Sequence, residues 1–390
     1  MLRMLTFGTL LLTSAAALAT SAPFVHPGIL IDAAQMDRIR ARLRNHDPVA
    51  VAAFDAASRS SLARLDRAPK PHARVECGPY SKPDVGCSDE IVDAQSAYTH
   101  ALLWTLTGKQ VHAAKAIEIM DAWSGTLRHG HIGSNAPLQA SWAAQLWPRA
   151  AEIIRHTSDA WPAESATRFA TMLAGQYLPD IDRMGACHTF NWQTSAIEAR
   201  LNIAVFRDDR AAFDRAVTQW RERATTSIYL ATDGEEPLSP KACPKVGEAL
   251  VASWFGQSAP PDGHAQETCR DLEHTAYGIA GLINIAETAW LQGIDLYAEQ
   301  RERLVTAMEY HVALADTPLP PGICGGTVTG RLDGTLEIGF NHYARRMGEP
   351  LPTTAGWLSI RRPSRGYFHY LWETLTHADG DPLAPEARSE

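Results

Sequence analysis

What most limits the possible folds of this chain is a succession of helical patterns joined by short turns. "DAAQMDRIRARLRN" begins with Asp32 as a candidate N-cap and spaces Met36, Ile39 and Leu43 along one helical face. "DAQSAYTHALLWTLTG" runs from Asp93 to a helix-stopping Gly108, and "KQVHAAKAIEIMDAWSGTL" follows at once. "LQASWAAQLWPRAAEIIRHT", "SATRFATMLAGQYL", "WQTSAIEARLNIAVF", "DDRAAFDRAVTQWRERA", "QETCRDLEHTAYGIAGLINIAETAW" and "YAEQRERLVTAMEYHVAL" continue the series. Strand-like runs are few, so the expected class is all-α. Helical hairpins in series either stack as an open superhelix or close into an α/α toroid. An open solenoid shows a clearer repeat period than this one. The Pro- and Gly-rich stretches 66–92, 231–266 and 316–365 are too long for simple connectors and read as cleft walls or lids. An α/α toroid with long cleft-forming loops is therefore the expected architecture.

With 390 residues, 45% hydrophobic and 21% charged, the chain can bury a large core. Its net charge of −8 argues against nucleic acid or an anionic membrane as partner, while leaving room for an anionic substrate in a cleft lined by a few arginines. Residues 1–22 read as a signal peptide: Arg3, an apolar run from Leu5 to Leu12, then Ala17-Leu18-Ala19 as a cleavage site. A second cut fits after Ala22, so the mature chain is expected to start near Thr20 or Pro23 and to be periplasmic or secreted. One domain is expected over 23–380, with 381–390 a disordered tail. The six cysteines can oxidise in an exported protein. Cys77 and Cys87, flanking "GPYSKPDVG", are the plausible local pair; the sequence does not choose the others. There is no C-x-x-C and no H-E-x-x-H, although scattered His ligands stay open.

Three constellations carry chemistry. In "QETCRDLEHTAYG", a helix from the start of the stretch would put Glu267, Arg270, His274 and Tyr277 on one face. The plain alternative is a surface stripe with Glu267 paired to Arg270. In "CHTFNWQTSAIEARLNIAVF", Asn191, Trp192 and Gln193 open an apolar helix, and Asn191 could simply be its N-cap. In "LEIGFNHYARRMG", Asn341, His342, Tyr343, Arg345 and Arg346 form a polar, loop-like segment whose plain reading is a solvated turn. Eleven tryptophans are many for this length. Most belong in a core, with Trp142 and Trp192 the candidates for stacking on sugar rings.

Taken together, "HPGILIDAAQMDRIRARL", "DAQSAYTHALLWTLTGKQVHAAKAIEIMDAWS", "NWQTSAIEARLNIAVFRDDRAAFDRAV", "CRDLEHTAYGIAGLINIAETAWLQGIDLY" and "FNHYARRMG" resemble the alginate-lyase-like polysaccharide lyases, over about residues 26 to 377. The resemblance implies an α/α toroid and β-elimination of a 4-linked polyuronate, alginate first and glucuronan next. It implies no metal or organic cofactor and an anionic polysaccharide as partner; oligomeric state stays open. Asn191 resembles the family's carboxylate-binding Asn, Arg270 and His274 fit its R-D-x-x-H stretch, and Tyr343 fits its N-H-Y stretch. Trp142, Trp192, Gln193, Glu267, Tyr277, Asn341, His342 and Arg346 are the expected substrate contacts. The chain departs from the family where the alginate lyases follow the Asn with His; here that position is Trp192. Arg270 and Tyr277 keep the family's Arg–Tyr spacing of seven, so the catalytic Tyr is either Tyr277 or Tyr343, and Tyr343 is the expectation. Two other classes stay open. A glycoside hydrolase would need paired carboxylates, such as two of Asp233, Glu235 and Glu236, or Glu267 with Asp271. A non-catalytic helical binding protein would need no convergence of His274 with Tyr343.

Overall fold

The computed structural model describes residues 22–332, 336–364 and 368–378. The expected signal peptide up to residue 21 and the expected tail at 381–390 lie outside the described residues. The chain runs α1 (Ala33–Arg44), α2 (Pro48–Ser58), α3 (Cys87–Thr107), α4 (Gln110–Thr126), α5 (Ala136–Thr157), α6 (Ala163–Met172), α7 (Leu178–Asp182), α8 (Phe190–Phe206) and α9 (Arg210–Ser227). It continues through α10 (Gly247–Ser253), α11 (Leu272–Leu291), α12 (Leu296–Glu299), α13 (Arg301–Asp316), α14 (Glu337–Phe340), α15 (Pro352–Arg361) and α16 (Glu373–His377). Five short strands occur among the described residues: β1 (Gly28–Ile29), β2 (Ile31–Asp32), β3 (Val75–Cys77), β4 (Asp84–Val85) and β5 (His131–Ile132). β1 pairs antiparallel with β2, while β3 lies between antiparallel β4 and parallel β5.

Local signals explain the helix ends. The Asp32 side chain accepts from the Gln35 amide at the start of α1, and Gly108 takes a left-handed φ of 66° to end α3. Four helices, α3, α5, α8 and α11, pack side by side as an inner layer. They run parallel, since cross-contacts advance together along neighbouring helices. Gln139 near the start of α5 donates to the Cys87 carbonyl at the start of α3, and Trp104 near the end of α3 donates to Thr157 at the end of α5. Between α8 and α11, Phe190 faces Gly278, Thr194 faces Gly281, and Glu198 accepts from Asn284. Both glycines are required by closeness: a Cβ on Gly278 would sit 2.4 Å from the Phe190 ring, and one on Gly281 would sit 2.7 Å from Thr194 Cβ. The outer helices α4 and α9 return antiparallel to their partners. Beyond α11 the ring continues through α14 and α16 to α1 and α2.

The core is mostly alanine, leucine, isoleucine and tryptophan. A buried polar network crosses it between α5 and α8. Arg149 on α5 bonds Glu198 on α8 and donates to the His369 carbonyl at 2.6 Å, while Gln145 donates to Glu198 at 2.6 Å. Burial pushes the Glu198 carboxyl up in spite of its Arg149 partner.

Three disulfides form: Cys77–Cys87, Cys187–Cys243 and Cys269–Cys324. The first is the local pair expected from the loop it closes. The other two tie the 231–266 and 316–365 stretches to the chain just before α8 and just before α11. No helix among the described residues is long and apolar enough to cross a membrane.

Candidate active site

The parallel inner helices bring their N-terminal ends to one end of the ring. Each contributes the positive pole of its dipole there, together with amides that no intrahelical carbonyl satisfies. Asn191, Glu267, Arg270, His274 and Tyr277 cluster at this end.

Helix α11 starts later than its sequence pattern suggests. Asp271 is the N-cap, accepting from the His274 amide at 2.7 Å, so Glu267 and Arg270 lie in the preceding turn and not on the helix. The turn still gathers them. Glu267 is fully buried and accepts from the Asn191 backbone amide at 2.7 Å, from Asn191 Nδ2 at 2.7 and 2.8 Å, and from Arg270 Nη1 at 2.7 Å. Thr189, not Asn191, occupies the N-cap position of α8. The Asn191 amide group is thus held by Glu267 instead of capping a helix, and its buried Oδ1 accepts no hydrogen bond.

Arg270 Nη2 donates to His274 Nε2 at 2.8 Å, and His274 Nδ1 donates to Asp271 at 2.7 and 2.8 Å. In this pattern Nδ1 carries the hydrogen toward Asp271 and Nε2 accepts from Arg270, which can only donate. Burial alone would raise the Asp271 carboxyl, but the hydrogen bonds from His274 and the charge of Arg270 hold it below its ordinary value. Tyr277, one turn further, donates to Glu273 at 2.8 Å, and its ring centroid lies 5.8 Å from that of His274. Trp142 from α5 and Phe368, His369 and Tyr370 from the far end of the chain surround it, with centroids 5.7–6.0 Å away. On the other side of the site the exposed His188 stacks on half-buried Trp192, with centroids 4.5 Å apart and planes 6° from parallel. Gln193 donates to the Gly185 carbonyl at 2.6 Å and so braces that loop. A groove of about 260 Å³ runs on past Phe368 over Gln95, Gln139, Ser88 and Ile91, again at helix starts. The larger cavity, about 630 Å³ around Gln300 and Thr306, touches none of these residues.

Tyr343 does not join them. The segment expected as a polar loop is helical and buried: α14 is followed by a π-helical turn, Asn341–Arg346. Tyr343 is fully buried and donates to the Tyr297 carbonyl at 3.0 Å. His342 stacks on Tyr297 at 3.7 Å, and Arg346 donates to Glu287 at 2.8 and 3.1 Å. Asn341 is buried in the same turn. Glu287 stands near the end of α11, thirteen residues past His274, or about 20 Å along the axis at 1.5 Å per residue. Asn341, His342, Tyr343 and Arg346 therefore brace the C-terminal end of α11 and lie away from Arg270 and His274. Burial favours this hydrophobic setting for Tyr343 and pushes its hydroxyl up.

Of the carboxylates a hydrolase could use, three are held by other side chains, while Glu235 and Glu236 are exposed. Asp233 grips Arg303 at 2.7 and 2.8 Å, while Glu267 and Asp271 hold Asn191, Arg270 and His274. Reading the sequence missed Asp271 as the partner of His274, although an acidic cap three residues before a His is a usable signal. It also missed His188 and the Phe368–Tyr370 aromatics, which only the fold brings to Trp192 and Tyr277.

The family model for alginate lyase matches residues 39–320. The chain belongs to the alginate lyase family. It is a polysaccharide lyase, and its fold is an α/α toroid. Its structure is similar to that of alginate lyase A1-III from Sphingomonas species A1, with a TM-score of 0.59 at 16% identity over 83% of this chain and 90% of that one. A variant of A1-III complexed with tetrasaccharide gives the same TM-score at 18% identity, over 83% of this chain and 88% of that one. An alginate lyase from Bacteroides ovatus gives 0.56 at 12% identity, over 91% of this chain and 100% of that one. No curated protein matches it.

Proposed function

We propose that this lyase cleaves a 4-linked polyuronate, alginate first and glucuronan next, by β-elimination at the Asn191–Arg270–His274–Tyr277 cluster. The observation that carries the reading is the chain of contacts Asn191–Glu267–Arg270–His274–Asp271, with Tyr277 one turn away. Elimination breaks the C5–H and C4–O bonds and forms the C4=C5 bond. The C5 proton is weakly acidic while the neighbouring carboxylate is charged, so that charge must be neutralised. Arg270 is suited to this and can stabilise the enolate-like charge that develops; Asn191 can add only the Nδ2 hydrogen that Glu267 does not take, since its Oδ1 is an acceptor. His274, oriented through Nδ1 by Asp271, takes the C5 proton at Nε2 once Arg270 Nη2 leaves that nitrogen for the substrate carboxylate. The Tyr277 hydroxyl protonates the leaving oxygen. Glu267 acts through others, holding Asn191 and Arg270 in register. Trp142, Trp192 and the groove past Phe368 offer ring faces and hydrogen-bonding groups to the flanking sugars.

The test is a panel of mannuronate-rich and guluronate-rich alginate and glucuronan, followed by the ultraviolet absorbance of the unsaturated uronate end. Absorbance growth on alginate with none on a neutral glucan supports the reading. Reducing ends released without that absorbance would mean hydrolysis. Export to the periplasm or medium, with a mature start near Thr20 or Pro23, is part of the same proposal and is supported by three disulfides. N-terminal sequencing of secreted protein checks it; intact Met1 in the cytosol would count against it.

A further inference from the structure

At the opposite end of the ring, the segment leading into β1 crosses the C-terminal ends of the inner helices. Gln292, the C-cap of α11, fastens it by accepting from the Val25 amide at 2.9 Å and donating to the Val25 and Gly28 carbonyls at 3.0 and 2.9 Å. Between these points His26 reaches α5. Its Nδ1 lies 2.9 Å from Glu152 Oε2 and its Nε2 lies 3.0 Å from Asp208 Oδ1. One turn on from Glu152, His156 stacks on His26 with centroids 4.4 Å apart and planes 8° from parallel, and its Nε2 is 3.6 Å from Glu152 Oε1. The candidate ligand atoms of His26, Glu152 and His156 all lie within 4.8 Å of one another.

From this geometry we infer a divalent transition-metal site, best suited to zinc, formed by His26, Glu152 and His156 with Asp208 as the outer partner of His26. Four observations carry it. Glu152 is buried; its Oε2 accepts from the Gly28 amide at 3.2 Å, while its Oε1 has only the loose 3.6 Å contact with His156 Nε2, longer than a hydrogen bond. A carboxylate oxygen inside a protein that is held so loosely is costly unless a cation or a closer donor reaches it. Two imidazoles stacked face to face repel if both are protonated, whereas both are neutral as metal ligands. The Asp208–His26–Glu152 line is also the arrangement in which a carboxylate fixes the tautomer of a metal-binding His: Nε2–H to Asp208 leaves Nδ1 free to ligate. Finally, the site lies at helix C-termini, where positive charge is favoured. Zinc–nitrogen bonds of about 2.0–2.1 Å place tetrahedral ligand atoms about 3.4 Å apart, so side-chain adjustments of about an ångström close the set. His156 is exposed and leaves room for water as the fourth ligand. Two imidazoles with one carboxylate favour zinc over calcium or magnesium.

Bound there, the metal pins the N-terminal segment to α5 at the end of the ring away from the lyase site, so it is a structural clamp. The test uses the untagged full chain, stripped with chelator, then dialysed against zinc and separately against calcium. Metal per protein is read by elemental mass spectrometry and thermal unfolding by calorimetry. The expected result is one zinc per chain and a midpoint raised by several degrees, with no such shift from calcium. His156→Ala should lose both the bound zinc and the zinc-dependent shift, each variant's shift being read against its own metal-free midpoint because the stack on His26 is lost as well. His26→Gln should lose zinc as well. No zinc retained by the parent, or equal zinc and an equal shift in His156→Ala, would overturn the site.

Discussion

At the scale of single residues, the choice between two tyrosines decides what kind of site this is. Tyr277 shares its environment with His274, and Tyr343 is locked against the Tyr297 carbonyl at the far end of α11. Tyr277→Phe should therefore fold normally and lose most turnover. Tyr343→Phe should retain turnover and lose about 1 kcal/mol of stability for one buried hydrogen bond. Steady-state rates beside denaturant melts separate the two; a dead but stable Tyr343→Phe would return the acid–base role to that residue. Arg270→Ala should cost about 2–4 kcal/mol of transition-state stabilisation, since its contact strengthens as charge develops on the substrate carboxylate. That loss should appear mainly in kcat/KM. Near-normal turnover on polyuronate by folded Arg270→Ala would remove it from the site.

At the scale of elements, the site depends on how closely α8 and α11 approach. Gly278→Ala puts a methyl group into the Phe190 ring, one residue before Asn191. Overpacking of this kind costs about 1–3 kcal/mol, and here it should also lower activity by shifting Asn191 relative to Arg270. Equal stability and activity to the parent would show that the helices can separate without consequence. A second element-level link is β5, whose buried His131 donates to Glu90 on α3 at 2.9 Å and to Asp180 on α7 at 3.0 Å. Burial opposes its charge, but the two carboxylates outweigh burial and raise it from an ordinary 6.5 to about 9. A group whose folded value is raised contributes stability that is complete below the unfolded value. That contribution fades as pH climbs from about 6.5 through about 9. The melting midpoint should thus fall over that interval, and His131→Gln should flatten the fall. A parent midpoint constant from neutral pH to beyond pH 9 would contradict the pairing.

At the scale of the whole molecule, a chain of net charge −8 turns the N-terminal ends of its four inner helices, with Arg270 beside them, to one end of the ring. Those helix starts and Arg270 are the groups there that favour an anion. An anionic polymer should be drawn to that end, and the attraction should weaken as salt shortens the screening length to about 10 Å at 0.1 M. KM for polyuronate should rise several-fold between low and high salt while kcat changes little. A KM that is independent of salt would argue that ring stacking, and not charge, dominates binding.

Helix positions were legible because apolar spacing, the Asp32 cap and the Gly108 stop act within a few residues of one another. The all-α class and the hairpin architecture follow from that local physics. Arg270, His274 and Tyr277 were legible as a group for the same reason, being neighbours along one turn and one helix. The start of α11 was not, since the turn at Glu267 imitates helical spacing until Asp271 caps the true helix. The role of Asn191 also needed the fold. A local rule makes it a cap, and a buried carboxylate 76 positions away takes its amide instead. For Tyr343 the sequence offered polar neighbours that suggest a loop, and burial against α11 and Tyr297 reversed that reading. The Cys187–Cys243 and Cys269–Cys324 pairings, and the meeting of Phe368 with Tyr277, were likewise settled by tertiary structure alone. Hydrophobic period and capping are short-range and are written into consecutive residues; convergence of distant side chains depends on which helix ends the closed ring brings together.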